Sequence, residues 1–261
     1  MQERHTNRKQ YFEEQEYTTG KYVIPFISSC FPVNSDINVL EIGCGEGGNI
    51  KPFLDMGCKV TGIDISENKI ALAKQFYEKQ PDSHLLTLIA KDIYNIDDSY
   101  KNKFDLIIMR DVLEHIHNHN RFMNLLKTLI KPEGKIFIGF PAWQNPFGGH
   151  QQMCESKILS NMPYFHLFPK PVYKFILRLF GETKGKIDGL IEIRNTRITI
   201  EKFEKLSKKE AFNILKKILY FISPNYEIKF NIKHKKLNKI LASIPVIRNY
   251  FTTTCFYLIS E

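Results

Sequence analysis

The segment VLEIGCGEGGN, residues 39–49, constrains this chain more than any other. An apolar run enters Gly43, Gly45 and Gly47, and a helical pattern leaves them. Glycines at that spacing permit a sharp strand-to-helix turn and let a ligand lie against the backbone. The same alternation continues downstream. INVLEIG (37–43), KVTGIDI (59–65), HLLTLIAKDI (84–93), KFDLIIMRD (103–111) and KIFIGFP (135–141) read as strands or contain one. Between them, GNIKPFLDMG (48–57), ENKIALAKQFYEKQ (67–80, with Ser66 as its cap) and NHNRFMNLLKTLIKPEG (118–134) read as helices. Strands alternating with helices of this length imply right-handed crossovers and a parallel sheet.

After residue 141 the alternation breaks. Residues 142–198 are loop-rich and carry a basic amphipathic stretch, PKPVYKFILRLFG. A helix is expected over 199–217 and strands at ILYFI (218–222) and FTTTCFYLI (251–259), with an irregular basic insertion at 223–249. The expected organisation is an N-terminal cap helix or arm (1–36), a ligand-binding core (37–141), a cap insertion (142–198) and a segment completing the core (199–261). The strands number seven, in an α/β fold with an irregular helical cap.

Composition excludes several classes. Hydrophobic residues make up 43 % of the 261 and charged residues 25 %, which supports a globular core. No apolar run reaches the roughly 18 residues of a membrane span. The polar start MQERHTNRKQYFEEQE has no apolar core of a secretory signal. Cys30, Cys44, Cys58, Cys154 and Cys255 are scattered without a CxxC pair, which argues against a disulfide framework or a zinc site and suits a reducing cytoplasm. Residues 1–150 hold 17 basic and 19 acidic residues, whereas 151–261 hold 20 and 9, so the whole net charge of +9 resides in the C-terminal part. That surface either meets something anionic or is a solvated lysine-rich face.

Three acids narrow the role of the glycine loop. Glu41 lies inside an apolar strand two residues before Gly43 and needs a partner. Asp64 ends the second strand, where it could grip two ribose hydroxyls, and Asp92 ends the third, where it could accept from an adenine amino group. Ile65 and Ile93 could sandwich that ring. A nicotinamide dehydrogenase would show the same G-x-G-x-x-G spacing, but Glu41, Asp92 and the segment DVLEHI tip the balance.

With LEIGCGEGGN, GIDIS, KDIYNI, FDLIIMRDVLEHI and LLKTLIKPEGKIFIGFP in order over residues 37–141, the chain resembles the class I S-adenosylmethionine-dependent methyltransferases, in the group that includes ubiquinone and menaquinone biosynthetic enzymes. The resemblance implies a Rossmann-like doubly wound sheet, S-adenosylmethionine as cofactor and S-adenosylhomocysteine as product. It also implies residue roles. Gly43, Cys44, Gly45 and Gly47 would wall the methionine part, and Glu41 would hold the loop or the ammonium. Asp64 would bind ribose and Asp92 adenine, while Arg110 and Asp111 would face the cofactor. Tyr11, Tyr17 and Tyr22 in the N-terminal arm could reach the methionine end or the acceptor, Tyr17 being taken as a cofactor contact.

Methyl transfer to a phenol benefits from a base, since a phenol's pKa is about 10. His150, on the glycine-bordered loop FGGHQQ, and His115, in DVLEHI, are the candidate bases. Asp111, Glu114 and His115 also form D-x-x-E-H, similar to the E-x-x-E-H metal site of ubiquinone O-methyltransferases but with Asp in the first position; no metal is assigned. The (D/N)PP(Y/F) and Pro-Cys motifs of nucleic-acid methyltransferases are missing, so a small-molecule acceptor is expected rather than nucleic acid. Trp143, Phe147, Tyr164, Phe165, Phe168, Tyr173 and Phe175 suggest an apolar cap, part its own core and part pocket. Lys170, Lys174 and Arg178 flank an apolar stripe that suits either an anionic membrane surface or a helix packed on the core. The resulting expectation is a cytoplasmic enzyme O-methylating an aromatic, phenolic or lipid-like intermediate. RNA or protein methylation and a non-catalytic cofactor-binding module are the alternatives.

Overall fold

The structure, a computed structural model, describes residues 7–261. The first six residues of the polar segment weighed against a secretory signal lie outside that range. Five strands form the parallel part of the sheet: β1 (Asn38–Ile42), β2 (Lys59–Asp64), β3 (Leu86–Ala90), β4 (Phe104–Arg110) and β5 (Ile130–Phe140). Three more extend it antiparallel: β6 (Asn213–Ile222), β7 (Lys235–Lys236) and β8 (Thr254–Ser260). The order is β3-β2-β1-β4-β5-β8-β6-β7, so β1 lies centrally and the chain reverses its direction of travel between β1 and β4. In doubly wound sheets the crevice at that reversal is where ligands sit.

The sheet therefore has eight strands, not seven. The addition is the two-residue β7, where Lys235 and Lys236 pair with β6 inside the basic insertion. A second difference lies at 199–217. Only Ile200–Lys209 is helical, and Asn213–Ile222 is strand. Ala211 at φ 55 turns the chain between them. The apolar and lysine spacing of NILKKILYFI fits either period, and the buried β8 alongside supplies the ladder that settles it. A third lies at the end of the 118–134 pattern. The helix stops at Leu129, and Ile130 already pairs with Phe104 before the register shifts to bring Lys135 opposite Leu106.

Neighbouring residues of the parallel strands feed opposite faces. Leu40, Ile107 and Met109 join one core with Phe122 and Phe203, while Val39, Leu106 and Ile108 join the other with Phe53 and Phe137. Burial on both sides explains the continuous apolar runs. Helices α1 (Arg8–Thr18) and α2 (Ile24–Ser28) form the N-terminal arm, and α3 (Lys51–Asp55), α4 (Glu67–Tyr77) and α5 (His119–Leu129) flank the parallel strands. Residues 142–198 contain α6 (Lys157–Asn161), α7 (Lys170–Leu179) and α8 (Lys184–Thr196), which enclose a small core of Leu159, Phe165, Tyr173, Leu177, Ile187 and Leu190. Helix α9 (Ile200–Lys209) precedes β6, and α10 (Asn225–Phe230), α11 (Lys239–Ser243) and α12 (Ile247–Tyr250) fill the second insertion. Among the described residues no helix is long and apolar enough to cross a membrane.

The arm is anchored by Phe26, whose ring meets Phe137 and Phe256 edge-on at 5.7 and 5.8 Å. Truncating it leaves a cavity between arm and sheet. We expect Phe26→Ala to lower stability by about 3–5 kcal/mol in urea unfolding, and a loss under about 1 kcal/mol would show that the arm is not packed this way.

Candidate active site

The glycine loop is closed by hydrogen bonds to the end of β2. The amides of Gly43 and Cys44 both donate to the Ile63 carbonyl, at 2.8 and 3.1 Å. The Gly45 amide donates to Asp64 Oδ2 at 2.9 Å, and Asp64 Oδ1 accepts from the Ser66 amide at 2.9 Å. Gly43 (φ 71), Gly45 (φ 54) and Gly47 (φ 87) all occupy the left-handed region. A Cβ on Gly43 would stand 2.4 Å from Val112 Cγ2, and one on Gly47 would stand 2.9 Å from the Tyr77 ring, whose hydroxyl donates to the Gly47 carbonyl.

A cleft of about 590 Å³ opens at the C-terminal ends of β1, β2 and β3. Gly43, Asp64, Ile65, Asp92 and Ile93 line it, and Asp111 and His115 line it too. Ile65 is 73 % exposed and Ile93 only 7 %, so one forms a rim and the other a floor. Asp92 spends one oxygen capping the short turn 93–95, where Oδ1 accepts from the Tyr94 amide. Each carboxylate oxygen has two lone pairs, so Asp64 and Asp92 both keep acceptor capacity toward the cleft.

Other expected residues are placed differently. Glu41 does not line the cleft. It is buried beneath the loop, with Oε1 accepting from Asn49 Nδ2 at 2.7 Å and Oε2 without a partner. Burial pushes its carboxyl up to about 8, against the Asn49 hydrogen bond and the Arg110 charge. Arg110 donates to Asn49 Oδ1 (2.6 Å), Thr19 Oγ1 (3.0 Å) and Asn225 Oδ1 (2.6 Å), linking the loop to the arm and the second insertion. It lines a narrow gap beside the cleft with Tyr11 and Asp111, and Asp111 borders both spaces. Tyr17 is turned elsewhere: its hydroxyl donates to Glu227, which also receives Lys21 and Tyr22. The lysine and tyrosines of the arm satisfy that acid, which holds α10 against α1. Burial raises Tyr11 to about 12, so it meets the gap as a neutral phenol.

The two histidines come together. The His115 and His150 rings are edge to face with centroids 5.2 Å apart, His115 on the cleft wall and His150 behind it. His150 Nε2 lies 3.7 Å from Glu114 Oε1. Glu114 is buried, and neither of its carboxyl oxygens has a hydrogen-bond partner. Burial, then the Asp111 charge, pushes its carboxyl well above the usual range. Burial lowers His115 and pulls His150 down to about 4. Donor atoms of Glu114, His115 and His150 lie within 4.8 Å of one another, a set that suits a divalent cation. Asp111, the first position of D-x-x-E-H, is not in that group; His150 takes its place. Lys69, Lys91, Tyr94, Val112 and Arg121 line the cleft without having been singled out, and Arg121 stacks over Tyr94 at 4.1 Å. Sequence position gives no sign of which exposed lysine will face a cleft. Asn49 ends the segment VLEIGCGEGGN, but its partners Thr19 and Arg110 come from far along the chain.

A methyltransferase domain model matches residues 12–155, more than half of the chain. The chain belongs to the methyltransferase-domain family, the class I group that its motifs resemble. It is 33 % identical over 105 residues to a ubiquinone biosynthesis O-methyltransferase of Rhodopseudomonas palustris (strain BisB5), covering 40 % of each chain. It is 32 % identical over 102 residues to phosphoethanolamine N-methyltransferase 2 of Caenorhabditis elegans, covering 38 % of this chain and 23 % of that one. The match thus spans less than half the length of these curated relatives. Among solved structures it is similar to phosphoethanolamine N-methyltransferase 2 of Haemonchus contortus in complex with S-adenosyl-L-methionine (TM-score 0.57, 16 % identity, 91 % of this chain and 51 % of that one). It is also similar to geranyl diphosphate C-methyltransferase of Streptomyces coelicolor A3(2) (TM-score 0.57, 11 % identity, 94 % and 79 %). At such identities the likeness shows the fold.

Because Glu41 is held above its ordinary 4.5 in the folded, ligand-free protein, its proton contributes stability that is full below about pH 4.5 and lost as pH rises through about 8. Glu41→Gln should therefore melt higher than the parent at pH 9, by about 10 °C if the whole shift is expressed in stability, and show little such gain at pH 5. Equal melting shifts at both pH values would contradict the raised carboxyl.

Proposed function

We propose that the protein transfers a methyl group from S-adenosylmethionine to oxygen of a small aromatic, phenolic or lipid-like acceptor, leaving S-adenosylhomocysteine. The cleft where Gly43, Asp64 and Asp92 stand at three strand ends with His115 on the facing wall is the observation that carries this reading. The bare loop backbone at Gly43 and Gly45 leaves room for the methionine part. Asp64 is fixed by two backbone amides, so its free lone pairs are aimed before a ribose arrives. Asp92 and the Ile65–Ile93 pair take the base. Glu41 acts from beneath, through Asn49, in keeping the loop still rather than by touching the cofactor.

The cofactor supplies an already activated methyl, so this chain has to align the acceptor, exclude water and accept a proton. The relatives named above are O-, N- and C-methyltransferases, so the fold does not select the acceptor atom. The two imidazoles favour oxygen. Both are held neutral near pH 7, and a neutral imidazole can take a hydroxyl proton. His115 stands at the cleft wall for that step. His150 packs its ring, and the Glu114 carboxyl behind is close enough to stabilise charge that develops on the pair. The orphaned Glu114 oxygens favour a second reading, in which the same three side chains hold a divalent cation that binds the acceptor oxygen.

Calorimetry with S-adenosylhomocysteine tests the cofactor site. Asp64→Ala should bind it roughly tenfold to a hundredfold more weakly, the equivalent of about 1.5–3 kcal/mol for hydrogen bonds to a charged group. Unchanged affinity would refute the ribose role. With a phenolic acceptor, His115→Ala should lower turnover about 10²–10⁴-fold and leave that affinity unchanged. Under the base reading turnover survives dialysis against EDTA. Loss on dialysis with recovery on adding Mg²⁺, Mn²⁺ or Zn²⁺ would transfer the cluster to the metal reading.

A further inference from the structure

Helix α7 has two unlike faces. Tyr173 and Leu177 are wholly buried against Ile187, Leu190 and Ile191 of α8. On the outer side, Phe168 (47 % exposed), Val172 (43 %), Phe175 (64 %) and Leu179 (68 %) are spaced by four, three and four residues, a single stripe along the helix and the residue leading into it. Singly exposed apolar side chains are ordinary on protein surfaces; a continuous aligned row is not. Lys174 and Arg178 flank the stripe, Lys170 lies nearer α8 and donates to Asn195 there, and α7 contains no acid. From residue 151 to 186 the chain has six lysines and arginines against Glu155 and Glu182, and Glu182 is buried, accepting from the amides of Glu155 and Ser156.

We propose that this face docks the protein on a bilayer containing anionic lipids, with α7 lying in the interface plane. The apolar row enters the headgroup–acyl boundary, and the flanking Lys174 and Arg178 meet the lipid phosphates, with Lys170 adding to the field from the α8 side. Charge complementarity favours a lipid surface over a second copy of the chain, which would set these same cations against one another. The row is too short for irreversible insertion, so binding is peripheral and salt-sensitive. Helix α8 lies between this face and the His115 segment, since Thr196 donates to the Glu114 carbonyl and Glu192 pairs with His117. The site would thus sit one helix layer above the lipid. Docking does not depend on the acceptor, so the methyltransferase reading and this one fail separately.

The test is cosedimentation of the full chain with vesicles of phosphatidylcholine alone and of phosphatidylcholine with phosphatidylglycerol, at low salt and in 0.5 M NaCl. We expect partitioning to the mixed vesicles only, reduced by salt. Phe175→Ser/Leu179→Ser and, separately, Lys170→Glu/Lys174→Glu/Arg178→Glu should each lower it at least roughly tenfold, with thermal melting and S-adenosylhomocysteine affinity unchanged. Three outcomes overturn the proposal: equal binding to both vesicles, binding insensitive to both variants, or a parent dimer in solution that Phe175→Ser/Leu179→Ser converts to monomer without any vesicle binding by the parent.

Discussion

The carboxamide of Asn49 is the contact on which the rest of the site depends. It donates to the buried Glu41 carboxyl group and accepts from the Arg110 guanidinium and the Thr19 hydroxyl. A primary amide is among the few neutral side chains able to donate and accept at once. Here it stands between a buried acid and a cation that would each be costly alone. Arg110 then reaches Asn225, so four remote stretches meet within hydrogen-bond distance: the arm, the loop after β1, the end of β4 and the second insertion. The glycine loop is mobile by composition, and this junction makes it stationary without a side chain intruding on the space above it.

Around the two histidines the same economy holds. Burial lowers both imidazoles and raises the Glu114 carboxyl above its ordinary range. Desolvation makes each imidazole a weaker base than in water, and the nearby Asp111 charge opposes that for both. The positive φ of Asp111 (55) and of His150 (55) lies at either end of this group, where the chain leaves β4 and where it leaves the Gly148–Gly149 turn. Non-glycine residues held in that region are uncommon, and the surrounding packing must enforce them.

Much of the parallel half was legible in the sequence because its signals are local. The strand runs, the Ser66 cap and the glycine spacing each act within a few residues, and Asp64 and Asp92 follow from strand ends. What was not legible depends on contacts between remote segments. Tyr17 could be read as a cofactor contact from its place in the arm, yet Glu227, 210 positions away, accepts its hydroxyl instead. Residues 213–217 read as the end of a helix, whereas β8 supplies the neighbour that makes them the start of β6. The D-x-x-E-H spacing pointed to Asp111, whereas the fold brings His150 beside Glu114 from beyond β5. Of the cap aromatics expected to divide between a core and a pocket, Phe165 and Tyr173 are buried in the cap core, while Tyr164, Phe168 and Phe175 are exposed and do not line the cleft.

The eighth strand has a consequence for how the molecule behaves among its own kind. The outer margin of a sheet presents unpaired amides and carbonyls, an invitation for a foreign chain to add itself. Here that margin is made by the exposed Lys235 and Lys236, which pair with Ile222 and Tyr220, and by the earlier part of β6 that β7 does not reach. There Lys216 donates to the Phe26 carbonyl and Ser29, and Lys217 pairs with Glu204. Exposed lysines at such a margin are a recurrent way of discouraging an identical edge from pairing with it. Part of the positive excess that first suggested an anionic partner thus stands at the sheet's margin rather than on helix α7.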